Sequence, residues 1–335
     1  MTNLSISRVI EILNNAENQK VVVIGDLMLD KFYWGNVSRI SPEAPVPVVE
    51  LEKETFHLGG AANVATNLKS LKLNPIMIGV IGKDQTGEEF LDYAKQIGLI
   101  TEGIYSDAKR PTTVKTRIIA NNQHVARLDK EITEEIDDSL QNYFLDFLKS
   151  QNNVKAIILE DYNKGMLPKS FIKKIIEYAR SQNIFISVDP KQQNFFEYQN
   201  TDLFKPNKKE ASKALNININ SVEKTREVGL ELMNRLNCKN LLLTLGSDGM
   251  MLFQENGEIY SVPTRARQVA DVSGAGDTAI ATYTAAHIGG ASPIEAASIA
   301  NFASGTVCEK TGVVPIEIND LLTTIRRNGL ISNSE

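Results

Sequence analysis

A chain of 335 residues, 42% hydrophobic and 23% charged, has the composition of a globular protein long enough to bury a substantial core. Its formal net charge of −5 gives no basic footprint for nucleic acid or an anionic membrane surface, leaving a small molecule as the default partner. Cys238 and Cys308 stand far apart with no His or Cys at ligand spacing, which excludes a disulfide framework or a zinc site and predicts reduced, buried thiols.

Ile6, Val9, Ile10 and Leu13 mark a short amphipathic helix, in a segment without the apolar core of a signal peptide. No run of about 18 apolar residues follows, so a cytoplasmic location is expected. Lys20–Gly25 (KVVVIG) reads as a strand buried on both faces, with Asp26 and Asp30 after it. Similar runs recur at Ile76–Ile81, Val154–Leu159, Ile184–Val188 and Leu241–Leu245. Segments of helical period lie between them: Val64, Leu68, Leu71; Phe90, Leu91, Ala94, Ile97; and Phe171, Ile172, Ile175, Ile176, Ala179. Buried strands alternating with helices predict an α/β fold with a mostly parallel, doubly wound sheet, and ligands at the C-terminal ends of its strands. No linker, repeat or low-complexity tract divides the chain, and one domain over residues 1–335 is expected.

Two stretches break the rhythm. Phe32–His57 carries Pro42, Pro45 and Pro47 between β-type runs, and Thr112–Leu128 reads as two strands around Asn121-Asn122. Segments of about 32–58 and 111–129 are thus expected as a small β-sheet outside the main one. It serves either as a lid that keeps water from a reacting site, as surface decoration or as an oligomer contact.

Gly59-Gly60-Ala61-Ala62-Asn63 opens the helix of Val64, Leu68 and Leu71. Glycines let a ligand approach the backbone, and Asn63 has both the donor and the acceptor that sugar hydroxyls require. A plain helix start accounts for the same residues. Asp30, just past the first strand, is positioned for hydroxyls as well. Lys205-Pro206-Asn207-Lys208-Lys209-Glu210 has an ordinary reading as a proline-marked helix start with solvated lysines. Its functional reading puts Asn207 and Glu210, one turn apart, on the water shell of a magnesium ion. Thr244-Leu245-Gly246-Ser247-Asp248-Gly249 is either a hairpin turn or a nucleotide seat. No Walker A sequence occurs, which excludes a P-loop enzyme.

The stretch Val269–Thr278 (VADVSGAGDT) runs into Ala279, Ile280, Tyr283 and His287 at helical spacing. Unpaired amides at Gly274, Ala275 and Gly276 would form an anion hole there. Asp277 among them would be held ionised, as a base taking a proton from an attacking hydroxyl in phosphoryl transfer. The structural alternative is a capping aspartate after a glycine turn. A dinucleotide fingerprint through Gly274, Gly276 and Ala279 lacks the strands that must follow it. Ala291–Lys310 is predicted as a helix rich in small residues, Ile316–Arg327 as another, and Asn328–Glu335 as a frayed tail.

In order and spacing, GG-x-x-N, N-x-x-E, T-x-G-x-x-G and D-x-x-GAGD-T resemble the ribokinase-type (PfkB) sugar kinases over almost the whole chain, with Ser273 where that family usually has Thr. The resemblance implies a ribokinase-like fold with a lid and an ATP-dependent kinase with Asp277 as base. It implies sugar contacts at Asp30, Gly59, Gly60 and Asn63. ATP contacts would come from Asn207, Lys208, Lys209, Glu210, Thr244, Gly246, Gly249 and Asn301, with Mg2+ near Asn207 and Glu210. It further implies a monovalent-cation site near Lys310, Thr311 and Gly312, and a homodimer through the lid. The runs GDLMLDKFYWGNVSRISPEAPVPVV, LGGAANVATNL, KTRIIANNQHVARLD and LEDYNKG are similar to the branch acting on D-glycero-D-manno-heptose 7-phosphate at O1, in lipopolysaccharide-core synthesis. A phosphorylated sugar needs cations, for which Arg117, Arg127 and Lys164 are the candidates. Bifunctional relatives carry a nucleotidyltransferase domain after the kinase, an activity expected to lie elsewhere here. Another sugar or sugar phosphate, such as ribose or fructose phosphate, and a non-catalytic sugar- or nucleotide-binding module remain the alternatives.

Overall fold

The computed structural model describes residues 4–121, 123–264 and 270–329. Val269, Asn122 and the tail from Leu330 onward, which figure in the expectations above, lie outside them. The chain begins with α1 (Ile6–Ala16) and β1 (Lys20–Gly25), then leaves as a long antiparallel pair, β2 (Leu27–Ile40) and β3 (Pro47–Gly60). It returns through α2 (Ala61–Ser70) to β4 (Asn74–Gly82), α3 (Gln85–Gln96) and β5 (Ile104–Asp107). A second excursion, β6 (Thr113–Ala120) and β7 (Gln123–Lys130), leads to α4 (Asp138–Ser150), β8 (Val154–Glu160), α5 (Lys169–Ser181), β9 (Phe185–Asp189) and β10 (Leu203–Phe204). The remainder is α6 (Lys208–Leu215), α7 (Val222–Leu236), β11 (Asn240–Thr244), β12 (Met250–Gln254), β13 (Ile259–Val262), α8 (Ala275–Ile288), α9 (Pro293–Cys308) and α10 (Ile318–Gly329).

The main sheet has the order β13-β12-β11-β10-β9-β8-β1-β4-β5. It is parallel except at the β11-β12-β13 edge. Alternation along β1 explains why its sequence is apolar at every step. Val21 and Val23 enter the core shared with α1, α2, α8 and α9, while Val22 and Ile24 enter the opposite core with α4, α5 and α7. Burial on both faces removes the polar side that an exposed strand would keep. The most deeply placed helix is α8, in which every residue from Asp277 to Ala286 is buried. That explains its lack of an amphipathic pattern.

The two irregular stretches form a four-stranded sheet of order β3-β2-β6-β7. Its β2–β3 pair runs further than expected, because the ladder continues to Leu27↔Gly60. Asp30 therefore stands on the small sheet, and not past the end of a main-sheet strand. The turn motif after β11 is a hairpin connection around Gly246–Asp248. Both cysteines are free thiols, Cys238 buried but Cys308 only half-buried. Among the described residues no helix is long and apolar enough to cross a membrane.

Candidate active site

Asp26, Glu160 and Asp189 occupy the C-terminal ends of β1, β8 and β9, all buried. The start of α8 comes down on this edge. Gly274 caps it in the left-handed region at φ 79°, without a side-chain cap. A Cβ there would stand 2.9 Å from Asn63 Nδ2, so the backbone passes close against α2. The amide of Ala275 bonds the carbonyl of Val272 at 3.3 Å, whereas the amides of the next two residues have no partner among the described residues, as is usual at an open helix start.

Asp277 is the third residue of α8, and its carboxylate is gripped by side chains. Asn63 Nδ2 donates to Oδ2 at 2.7 Å, and the Tyr162 hydroxyl donates to Oδ1 at 3.0 Å. The expected ring of amides around this carboxylate is thus replaced by an amide side chain from α2 and a phenol from the loop after β8. Burial pushes its pKa up to about 6. Asn63, Tyr162 and Lys205 pull it down, while Asp189 adds to the rise. The carboxylate form still prevails at neutral pH, as a base requires.

Glu160, Asp189 and Asp277 bring one oxygen each within 4.8 Å of one another. Such spacing concentrates charge that must be balanced. Lys205, 2% exposed, places Nζ 2.8 Å from Asp189 Oδ2. Among the described residues both oxygens of Glu160 are buried without a hydrogen-bond partner, and burial with the negative charges of Asp189 and Asp277 pushes its pKa well above the ordinary range. The Lys205 ammonium offsets part of that charge. Lys205 is therefore no solvated lysine; of the three expected to be so, Lys208 is half-buried and only Lys209 is exposed. Asn207 and Glu210 form a reciprocal capping box, with Glu210 N on Asn207 Oδ1 at 2.9 Å and Asn207 N on Glu210 Oε2 at 2.8 Å. Lys191 Nζ takes Glu210 Oε1 at 2.8 Å. These hard oxygen acceptors fit a magnesium ion that keeps its waters, and their engagement with the helix start does not favour direct ligation.

Above Asp277 lies a cavity of about 290 Å³. It brings together Asp30, Gly60, Asn63, Arg117, Arg127, Gly274 and Asp277 from the expected residues, and adds Lys115, Tyr162 and Ser273. Cross-strand pairing explains the cations. Lys115 and Arg117 lie two residues apart on β6, hence on one face, and Arg127 pairs directly with Arg117 from β7. Arg117 forms an ion pair with Asp30 and sits 5.1 Å over the Phe32 ring. Arg127 pairs with Asp129 at 2.9 Å, and Lys115 with Glu131 at 3.2 Å. Gly59 lies against this face, since a Cβ there would overlap Asp30 Oδ2 at 2.3 Å. Lys164 instead borders a much smaller pocket beside Asp26 and pairs with Glu131 at 2.6 Å.

Of the remaining expected residues, Asn207 follows β10, Thr244, Gly246 and Gly249 lie at the end of β11, and Asn301 lies on α9. Asn207 bridges to Thr244, and Leu245 bonds Gly249 across the turn that contains Gly246. Asn301 ties α9 to Pro263, next to Gly249, at 2.7 Å. Lys310, near the expected monovalent-cation site, pairs with Asp320 at 2.5 Å, while Asp271 accepts the amides of Ser273 and Gly312. Sequence reasoning did not assign Lys115, Glu160, Tyr162, Asp189 or a buried Lys205. The signal for two of them was present, because Glu160 and Asp189, like Asp26, end or follow an apolar run where ligand sites are expected.

A family model described as pfkB family carbohydrate kinase matches residues 18–319. The bifunctional protein HldE of Helicobacter pylori strain J99 is 41% identical over 295 residues, covering 88% of this chain and 64% of that protein. That of Desulfatibacillum aliphaticivorans is 38% identical over 303 residues, covering 90% and 62%. The chain therefore spans less than two thirds of these relatives' length. Among solved structures, Arabidopsis thaliana ribokinase complexed with ribose and ATP superposes with a TM-score of 0.73 at 18% identity, over 92% of this chain and 99% of that one. Phosphofructokinase-2 from Escherichia coli in complex with fructose-6-phosphate gives 0.75 at 17% identity, over 92% and 99%. At such identity the likeness is one of fold.

Proposed function

Because the chain belongs to the pfkB family of carbohydrate kinases, we propose that it transfers the γ-phosphoryl group of ATP to O1 of D-glycero-D-manno-heptose 7-phosphate, giving the 1,7-bisphosphate. The observation that carries this reading is one cavity with a base at its floor and cations in its wall. Asp277 lies at one end, and Lys115, Arg117 and Arg127 line the small-sheet side. A substrate phosphorylated far from its reacting hydroxyl matches that division. About 40% identity to the HldE proteins and the heptose-kinase-like runs quoted above support the same substrate.

Asp277 accepts the proton of the acceptor hydroxyl as its oxygen attacks the terminal phosphorus. The transition state asks for positioning and charge stabilisation more than for a strong base. The first-turn amides of α8 receive charge developing on the transferred group, and Asn63 orients the sugar beside the base. Arg117 and Arg127 hold the distal phosphate once it competes with Asp30 and Asp129 for them. Magnesium bound with ATP neutralises the phosphate charge, and Asn207 and Glu210 would hold its water shell; Thr244, Gly246, Gly249 and Asn301 border the nucleotide. The small sheet closes the site against water and presents a dimer surface, a reading supported by the exposed Leu51, Phe56, Val125 and Leu128.

ADP release measured against a panel of sugars tests the assignment. Turnover is expected with the heptose 7-phosphate and not with ribose or fructose 6-phosphate. Asp277→Asn should lower kcat by about 10²- to 10⁴-fold with ATP affinity nearly unchanged. Arg117→Ala and Arg127→Ala should raise KM for the sugar phosphate more than for ATP. Full activity of the Asn variant removes the base, movement of the ATP KM alone moves the cations to another pocket, and silence with every sugar favours a binding module.

A further inference from the structure

Asp26 accepts three backbone amides from one loop: Tyr162 at 2.7 Å, Lys164 at 3.1 Å and Met166 at 3.1 Å. Within the same loop Asp161 accepts the Asn163 amide and the Tyr198 hydroxyl, each at 2.7 Å. Asn163 and Gly165 take positive φ, and a Cβ on Gly165 would overlap the Glu134 carbonyl at 2.0 Å. The loop is pinned on every side. It holds one half-buried aromatic ring against the carboxylate of Asp277, 115 residues away, and Lys191 Nζ stands 4.7 Å from that ring's centroid.

We propose that Tyr162 is the positioning residue of the catalytic base, its phenol fixing Asp277 Oδ1 so that the free lone pairs of the carboxylate face the acceptor hydroxyl. This rests on the reading of Asp277 as the base. A carboxylate accepts about four hydrogen bonds, so the grips of Asn63 and Tyr162 orient the group and still leave room for substrate. Burial and the charges of Asp277, Glu160 and Asp189 push the phenol well above its ordinary range, and it stays protonated and serves only as a donor. The groups facing Asp277 are Asn63 from α2, Glu160 from β8, Asp189 from β9 and Lys205 after β10. The Tyr162 hydroxyl bonds Asp277 and, among the described residues, none of these groups.

The test compares pH profiles of kcat and kcat/KM for the sugar phosphate at saturating ATP, in wild type, Tyr162→Phe and Asp277→Asn. In Tyr162→Phe, kcat should fall about tenfold and the acid limb of kcat/KM should move up by about one pH unit, with sugar KM within about twofold. The direction follows from losing a donor that favours the carboxylate. Replacing Tyr162 with 3-fluorotyrosine, a more acidic phenol and stronger donor, should move the limb to lower pH, and it decides the matter if the Phe variant does not fold. A rise in sugar KM with an unmoved limb would make Tyr162 a substrate contact and overturn the proposal, as would profiles identical to wild type. An active Asp277→Asn enzyme would instead sink the underlying reading, a result distinguishable from a dead Asn variant beside an unshifted Phe variant.

Discussion

Glu160 has both carboxylate oxygens buried without a partner among the described residues, and its consequence for stability can be signed. Burial raises its pKa in the folded chain, and it raises those of Asp26 and Asp277 to about 6, whereas unfolded carboxylates titrate near 4. Between those values the folded state binds more protons than the unfolded one, so these groups lower stability as pH rises. Glu295 has the opposite sign. Arg8 holds it down to about 2, and its contribution, present above pH 4, is lost as pH falls toward 2. Glu160→Gln, the neutral isostere, should therefore melt higher than wild type at pH 8, with the gap narrowing at pH 5. A lower melting temperature at pH 8 would mean that Glu160 is ionised and needed. On the proposal that Asp277 is the base, its titration should make kcat/KM fall as pH drops through about 6.

The element on which the site depends is the first turn of α8, and its two glycines are not equivalent. Gly274 is at φ 79° with Asn63 Nδ2 2.9 Å from the place of a Cβ, whereas a Cβ on Gly276 would meet Lys205 Nζ at 3.5 Å, an ordinary contact. A left-handed conformation costs a non-glycine residue roughly 1–2 kcal/mol. Gly274→Ala should thus lose about that much stability in urea unfolding, and its kcat should drop about tenfold or more because Asn63 is pushed off Asp277. Gly276→Ala should be milder in both measurements; equal effects would show that the close approach to Asn63 is unimportant. Helices of this chain with a clear apolar stripe, such as α5 with Phe171, Ile172, Ile175 and Ile176 buried, were legible from spacing. The two-residue β10 was not assigned, because so short a segment carries too few periods to distinguish itself from loop.

For the whole molecule, the open question of assembly turns on the small sheet. β7 is exposed at all eight residues and β3 at half of its residues, and Leu51 and Leu128 stand on them in solvent. Edge strands with apolar side chains invite pairing. On the proposal of a dimer through this sheet, the parent should sediment as a dimer and the Leu51→Lys and Leu128→Lys double variant as a monomer. A variant that keeps the dimer mass would put the contact elsewhere. The sequence by itself determined the alternation of buried strands and helices, the two β excursions and the family motifs, since these depend on periods and spacings within a few residues of the chain. Only the tertiary structure decided how Asp277 is held and which charges surround it. Asn63 reaches Asp277 across 214 residues, Lys205 turns from a surface charge into the buried partner of Asp189, and Tyr162 joins them from a third loop. Such contacts depend on which strand ends lie side by side in the sheet, and no local pattern of residues encodes that order.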